Sequence, residues 1–210
     1  MNHSLTSGSE AHGAAVAWPA DAHYGMATPG KIGMWIFLVS DAFSFAGLLL
    51  ANGILRSGST SWKPPGEPAL AIDFTAGLTV LLICTSVTNV LGYAAAAAGR
   101  MREAALMLGL TALGGALFLV GQMHEWFGLW GPGLMEEGLV FGGSARASLF
   151  YVITGFHGLH VLIGVLYILT ILVQLLRGRA GAGQVELLSL FWCFVDFIWI
   201  FVFSFIYLMA

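Results

Sequence analysis

Charge is what this sequence has least of. Asp, Glu, Lys and Arg together make up 9% of the 210 residues, where an ordinary soluble domain carries about a quarter. A chain that is 58% hydrophobic cannot cover itself with polar surface, so an aqueous fold would leave large adhesive patches and aggregate. Lipid has to take the place of water around much of it. Runs of basic residues are also missing: the eight Lys and Arg are scattered at segment ends and the net charge is -3, which excludes a nucleic-acid footprint. Cysteine is nearly absent. Cys84 and Cys193 lie in different apolar stretches, with no C-x-x-C and no C-x-x-C-H, so neither a disulfide framework nor attached heme is indicated. The first thirty residues lack a basic start followed by an apolar run and do not read as a cleavable signal. They read as a polar, disordered, retained tail.

Long apolar runs are there in quantity. A helix needs about 20 mainly apolar residues to cross ~30 Å of hydrocarbon at 1.5 Å per residue. Five stretches qualify, at roughly 32–55, 71–98, 104–127, 146–176 and 186–208, and the expectation is an all-α integral membrane bundle of five transmembrane helices over residues 31–210. Pro29-Gly30-Lys31 precedes the first, and polar or turn residues separate the others. The fourth is longer than a perpendicular span requires, so it should tilt or protrude. The 28 glycines and the run Ala94 to Ala98 supply the small residues by which helices pack closely in lipid. If the helices alternate, Lys31, Arg100, Arg102, Arg177 and Arg179 share one side, against Arg56, Lys63 and Arg146. The positive-inside rule then puts the N-terminus in the cytoplasm and the C-terminus outside a bacterial-type inner membrane. Trp35, Trp126, Trp130 and Tyr207, near segment ends, suit interfacial anchoring.

Each ionisable group at membrane depth costs roughly 2.5–3.5 kcal/mol on insertion scales and calls for an explanation. Asp41 lies about ten residues, or ~15 Å, into the first helix, and Asp196 about as far into the fifth. His157 and His160 fall at similar depth on one face of the fourth helix, spaced i and i+3. Gln122 and Glu125 share that spacing at the end of the third. A helical histidine pair with an acid from another helix could hold a metal or heme. The alternative is an intramembrane polar network of His157, His160, Asp196, Gln122 and Glu125, in which each group hydrogen-bonds within the bundle. The small number of histidines in the spans, His124, His157 and His160, favours this second reading, with no catalytic, cofactor or metal ligand assigned to the chain. Asp41 reads either as a proton-exchanging or lipid-facing carboxyl or as a packing carboxyl satisfied between helices. Glu125, Glu136 and Glu137, nearer the interface or in the loop, are expected to be solvated.

The run Phe150-Tyr151-Val152-Ile153-Thr154-Gly155-Phe156-His157-Gly158-Leu159-His160-Val161-Leu162-Ile163-Gly164 resembles the signature of subunit III of the heme-copper cytochrome c oxidases. The resemblance extends to Gly33-Met34-Trp35-Ile36-Phe37-Leu38-Val39-Ser40-Asp41, to Phe118-Leu119-Val120-Gly121-Gln122-Met123-His124-Glu125-Trp126, and to Phe191-Trp192-Cys193-Phe194-Val195-Asp196-Phe197-Ile198-Trp199. Longer members have seven helices, and this chain resembles a five-helix form without the first two. The resemblance implies a lipid-binding, non-redox subunit of a proton-translocating oxidoreductase. Bound phospholipid would be its own ligand, while the hemes and copper would lie in partner subunits. Subunit I would be its main partner, with subunit II and other subunits beside it. It would protect the active site against turnover inactivation and sustain proton uptake. Asp41 stands where the family has a glutamate that reacts with hydrophobic carbodiimides, and Cys193 where a histidine is usual. The same resemblance admits an equivalent subunit of a quinol oxidase or of a complex associated with nitric oxide reductase. An independent proton or ion transporter is the competing class, and the sequence has neither the inverted repeat nor the broken helix pair that would favour it.

Overall fold

The computed structural model describes residues 28–209, so most of the N-terminal tail lies outside the described residues. Five α-helices follow one another: α1 Pro29–Gly58, α2 Ile72–Ala97, α3 Met101–Phe127, α4 Ala145–Leu176 and α5 Ala182–Val202. A π-helical segment, Phe203–Leu208, prolongs α5. No strand occurs among the described residues, and all five helices are long and apolar enough to cross a membrane.

Local chemistry explains the ends. Thr28 caps α1 with its hydroxyl toward the Lys31 amide, and Pro29 occupies the first turn, where a missing N–H costs nothing. The helix therefore starts three residues before the apolar stretch does. At Gly99 and Gly178 the chain turns with φ of +76° and +67°. The following amides, of Arg100 and Arg179, reach back five residues to Ala95 O and Gln174 O, at 2.9 Å each. These are Schellman ends, for which glycine is suited because the left-handed conformation needs no Cβ. They make the α2–α3 and α4–α5 connections short and the helices antiparallel. α5 begins four residues earlier than its apolar run. Its first turns carry Glu186, whose carboxylate meets Lys31 Nζ at 2.7 Å, so these turns belong to the polar end of the bundle.

α2, α3, α4 and α5 form the body of the bundle, and α1 lies at its edge on α4 and α5. The buried positions of α1, Leu38, Asp41, Phe45 and Asn52, make one narrow stripe at spacings of three, four and seven. Trp35, Ile36, Phe43, Leu50 and Ile54 point away from the bundle. The core is aromatic, with Trp192, Trp199, Phe118 and Tyr207 almost completely enclosed. Glycines admit these rings. A Cβ added at Gly115 would lie 2.5 Å from Trp192 Cη2, and one at Gly164 would lie 2.9 Å from Trp192 Cε3, so α3 and α4 both press their backbones against the indole. Trp35 and Trp130 are exposed at the helix ends, as anchoring requires. Tyr207 is the exception: the π-helical turn directs it inward and it is fully buried. Trp126 is half-buried against Tyr151.

Candidate functional site

The intramembrane polar residues fall into separate pairings between helices rather than one continuous network. Asp41 on α1 faces His160 on α4, with Oδ1 3.2 Å from Nε2. Both side chains are 9% exposed, so the carboxyl is turned toward α4 and not outward to lipid. The other imidazole nitrogen, Nδ1, lies 2.8 Å from Phe156 O, and a carbonyl only accepts, so Nδ1 carries a proton. A proton lying between Oδ1 and Nε2, on either atom, would leave the pair uncharged overall and would let an acid stand near the midplane at modest cost. Phe45 and Phe156 pack edge-on against the His160 ring and separate the pair from its surroundings.

His157 shares a helical face with His160 but looks elsewhere. Its Nε2 donates to Val195 O of α5 at 3.2 Å, and its ring is boxed by Trp199 and Phe118. Its Nδ1 has no hydrogen-bond partner among the described residues. Gln122 donates from Nε2 to Thr154 O of α4 at 2.8 Å. Asp196 accepts from the Ser86 hydroxyl of α2 at 2.5 Å. Beside it, Asn89 Nδ2 donates to the Ser189 hydroxyl at 2.9 Å and lies 3.7 Å from Cys193 Sγ. No three His, Cys, Asp or Glu side chains converge in a metal-holding geometry among the described residues, and the helical spacing of His157 and His160 translates into two different partners.

Glu125 corrects the sequence reading. It is not solvated but 5% exposed, accepting from Thr75 Oγ1 at 3.1 Å and from Tyr207 OH at 2.8 Å. The carboxyl ties α2, α3 and the end of α5 together. Sequence reasoning missed its partners, and missed Ser86 and Asn89 as well. A signal was available: Thr75, Thr79, Ser86 and Asn89 recur along one face of α2. That face meets Glu125, the Trp199 indole (Nε1 to Thr79 Oγ1, 2.9 Å) and Asp196 in succession.

The family model of cytochrome c oxidase subunit III matches residues 20–210. Cytochrome c oxidase subunit 3 of Synechocystis sp. is 36% identical over 213 aligned residues, covering 100% of this chain and 84% of the relative. The subunit of the same name from Corynebacterium diphtheriae is 37% identical, over 84% of this chain and 86% of its own length. Cytochrome bo(3) ubiquinol oxidase subunit 3 of Pseudomonas aeruginosa is 33% identical, with 85% and 84% covered. A match over the whole described bundle, joined to five spans with paired polar groups at their centre, places this chain in the cytochrome c oxidase subunit III family.

Proposed function

We propose that the chain is the non-redox third subunit of a cytochrome c oxidase, seated on the heme- and copper-bearing subunit I with subunit II in the same complex. In this role it stabilises subunit I during turnover, supports proton uptake and binds phospholipid. The observation that carries the reading is how the ionisable groups at membrane depth are held. Asp41, Asp196 and Glu125 each bind partners on neighbouring helices, an arrangement suited to bracing helices and holding a proton. The unpartnered outer face of α1 supplies an apolar surface for a membrane neighbour. Lys31, Arg100, Arg102, Arg177 and Arg179 against Arg56, Lys63 and Arg146 support a cytoplasmic N-terminus. Purification through a tag on this chain from native membranes tests the reading. A heme-copper subunit should accompany it, and enzyme stripped of this chain should lose activity faster during turnover; consistent absence of a heme protein from the preparation would refute it.

The Pseudomonas aeruginosa relative, named as a ubiquinol oxidase subunit, gives ground for a second reading in which the electron donor is a quinol. Oxygen consumption by the purified complex with reduced cytochrome c or with a quinol separates the two.

A further inference from the structure

Glu125 is buried, yet its carboxyl reaches a cavity at one rim of the bundle. It forms part of the wall of a 240 Å³ pocket together with His124, Phe74, Ala69, Pro132 and Glu137. Ala69 belongs to the α1–α2 connection, and Pro132 and Glu137 to the α3–α4 loop, so the pocket lies at the rim that carries the Arg146–Glu67 pair. Ala69 and Glu137 are exposed, and they put its mouth in water. Its volume holds several waters at about 30 Å³ each, and two carboxyls and an imidazole give those waters polar partners.

The Glu125 carboxyl has no cation. Glu186 and Glu67 each meet a basic side chain, at 2.7 and 2.8 Å, whereas Glu125 is held by two hydroxyls, those of Thr75 and Tyr207. The ionisable groups around it are Tyr207 from the end of α5, Tyr151 from α4, His124 beside it on α3 and Glu137 from the loop. Tyr151 is committed elsewhere, donating to Leu139 O at 2.7 Å. α2 contributes the Thr75 hydroxyl, which has one hydrogen and two acceptors in reach: Ala71 O at 3.0 Å and Glu125 Oε1 at 3.1 Å. The Ala71 carbonyl already accepts from the Thr75 amide at 3.0 Å, so the hydroxyl is free to turn. Beside a carboxylate it donates to Oε1. Beside a carboxylic acid it accepts the Oε1 hydrogen and donates to Ala71 O. Tyr207 donates to Oε2 in both states. A proton can thus be added or removed by rotating one hydroxyl, with every contact between α2, α3 and the end of α5 kept.

We propose that Glu125 is a proton-binding site that exchanges with water at the Arg146–Glu67 rim through this pocket. Hydronium and carboxylate become water and carboxylic acid, and a buried acid with no cation beside it is relieved of its charge. The site goes beyond the place of the chain in an oxidase, and its test does not depend on which partner co-purifies. The purified full chain, with whatever assembles on it, is followed by infrared difference spectroscopy while the bulk pH is titrated. The carbonyl stretch of a protonated carboxyl should grow as the pH falls and be lost in Glu125→Gln, whose amide keeps the size and both hydrogen bonds of the neutral acid. Tyr207→Phe removes the donor to Oε2 and should move the surviving band to higher wavenumber, a change that a merely structural carboxyl would not show. Transfer of the unaltered protein to heavy water should shift the band. Ala69→Phe, which fills the mouth from an exposed position, should slow that shift. Identical spectra for the unaltered chain and Glu125→Gln at every pH would overturn the site. A Glu125 band that ignores both bulk pH and heavy water would overturn the exchange, because it would show a sealed proton. An undiminished exchange rate in Ala69→Phe would overturn the route through the pocket.

Discussion

Asp41 and His160 are the residues at which the chemistry of this chain is most concentrated, because an acid and an imidazole face each other at 3.2 Å between two membrane-spanning helices. Removing either partner strands the other: Asp41→Leu leaves Nε2 facing hydrocarbon, and His160→Leu leaves both carboxyl oxygens bare, since Oδ2 already lacks a partner. Removing both at once strands neither. A double-mutant cycle on thermal unfolding in detergent should therefore show coupling of about 0.6 kcal/mol, up to about 1.7 kcal/mol, the range found for hydrogen bonds between membrane helices. Additive losses would mean that the two side chains act independently. Asp41→Asn keeps the size and a hydrogen bond while fixing the number of protons, so the complex should assemble with altered proton-linked turnover. Asp41→Lys, which puts a long cation against an imidazole near the midplane, should block assembly.

Elements in this bundle differ in how firmly they are held. α3 and α4 close on the Trp192 ring through Gly115 and Gly164, and the indole Nε1 reaches Thr85 Oγ1 on α2 at 3.1 Å, so one side chain organises four helices. Gly115→Ala should destabilise the protein by about 1–3 kcal/mol, the cost of overpacking. Gly109→Ala, with nothing within 4 Å of the added carbon, should not, and thermal melts of the two variants decide it. α1 is held by one stripe only, so in the isolated chain its amides should exchange with deuterium before those of α3 and α5, and gain protection in the assembled complex. Equal exchange would mean that the narrow stripe is sufficient. The five spans were legible in the sequence because lipid sets a length that apolar runs must meet, and the midplane acids because charge is so scarce. What length and scarcity do not encode is which neighbour each polar group faces. Glu125 looked interfacial because it sits two residues from the end of α3. It is buried because a π-helical turn brings Tyr207 back over it, and no periodicity in 203–208 announces that turn. His157 and His160 looked like a pair because three residues separate them, but the packing of α1 and α5 on either side of α4 gives each its own partner.

For the molecule as a whole, the arrangement of charged ends sets how it sits in the membrane. Antiparallel helices place Lys31, Glu186 and the Arg100 and Arg177 turns at one end, where Lys31 and Glu186 meet. Arg56, Glu67 and Arg146 lie at the other, where Arg146 and Glu67 meet. The two ion pairs thus close opposite rims of one bundle. Acids carry little weight in the rule that basic residues follow, so paired cations count with the rest: Lys31, Arg100, Arg102, Arg177 and Arg179 on the first side against Arg56, Lys63 and Arg146 on the second. The first side is therefore expected in the cytoplasm. In a background with Cys84 and Cys193 replaced by alanine, Ser59→Cys should react with an impermeant thiol reagent in intact cells. Ala180→Cys, in the turn between α4 and α5, should react only after the cells are opened. The reverse pattern would invert the protein in the membrane, with the Arg146–Glu67 end on the cytoplasmic side.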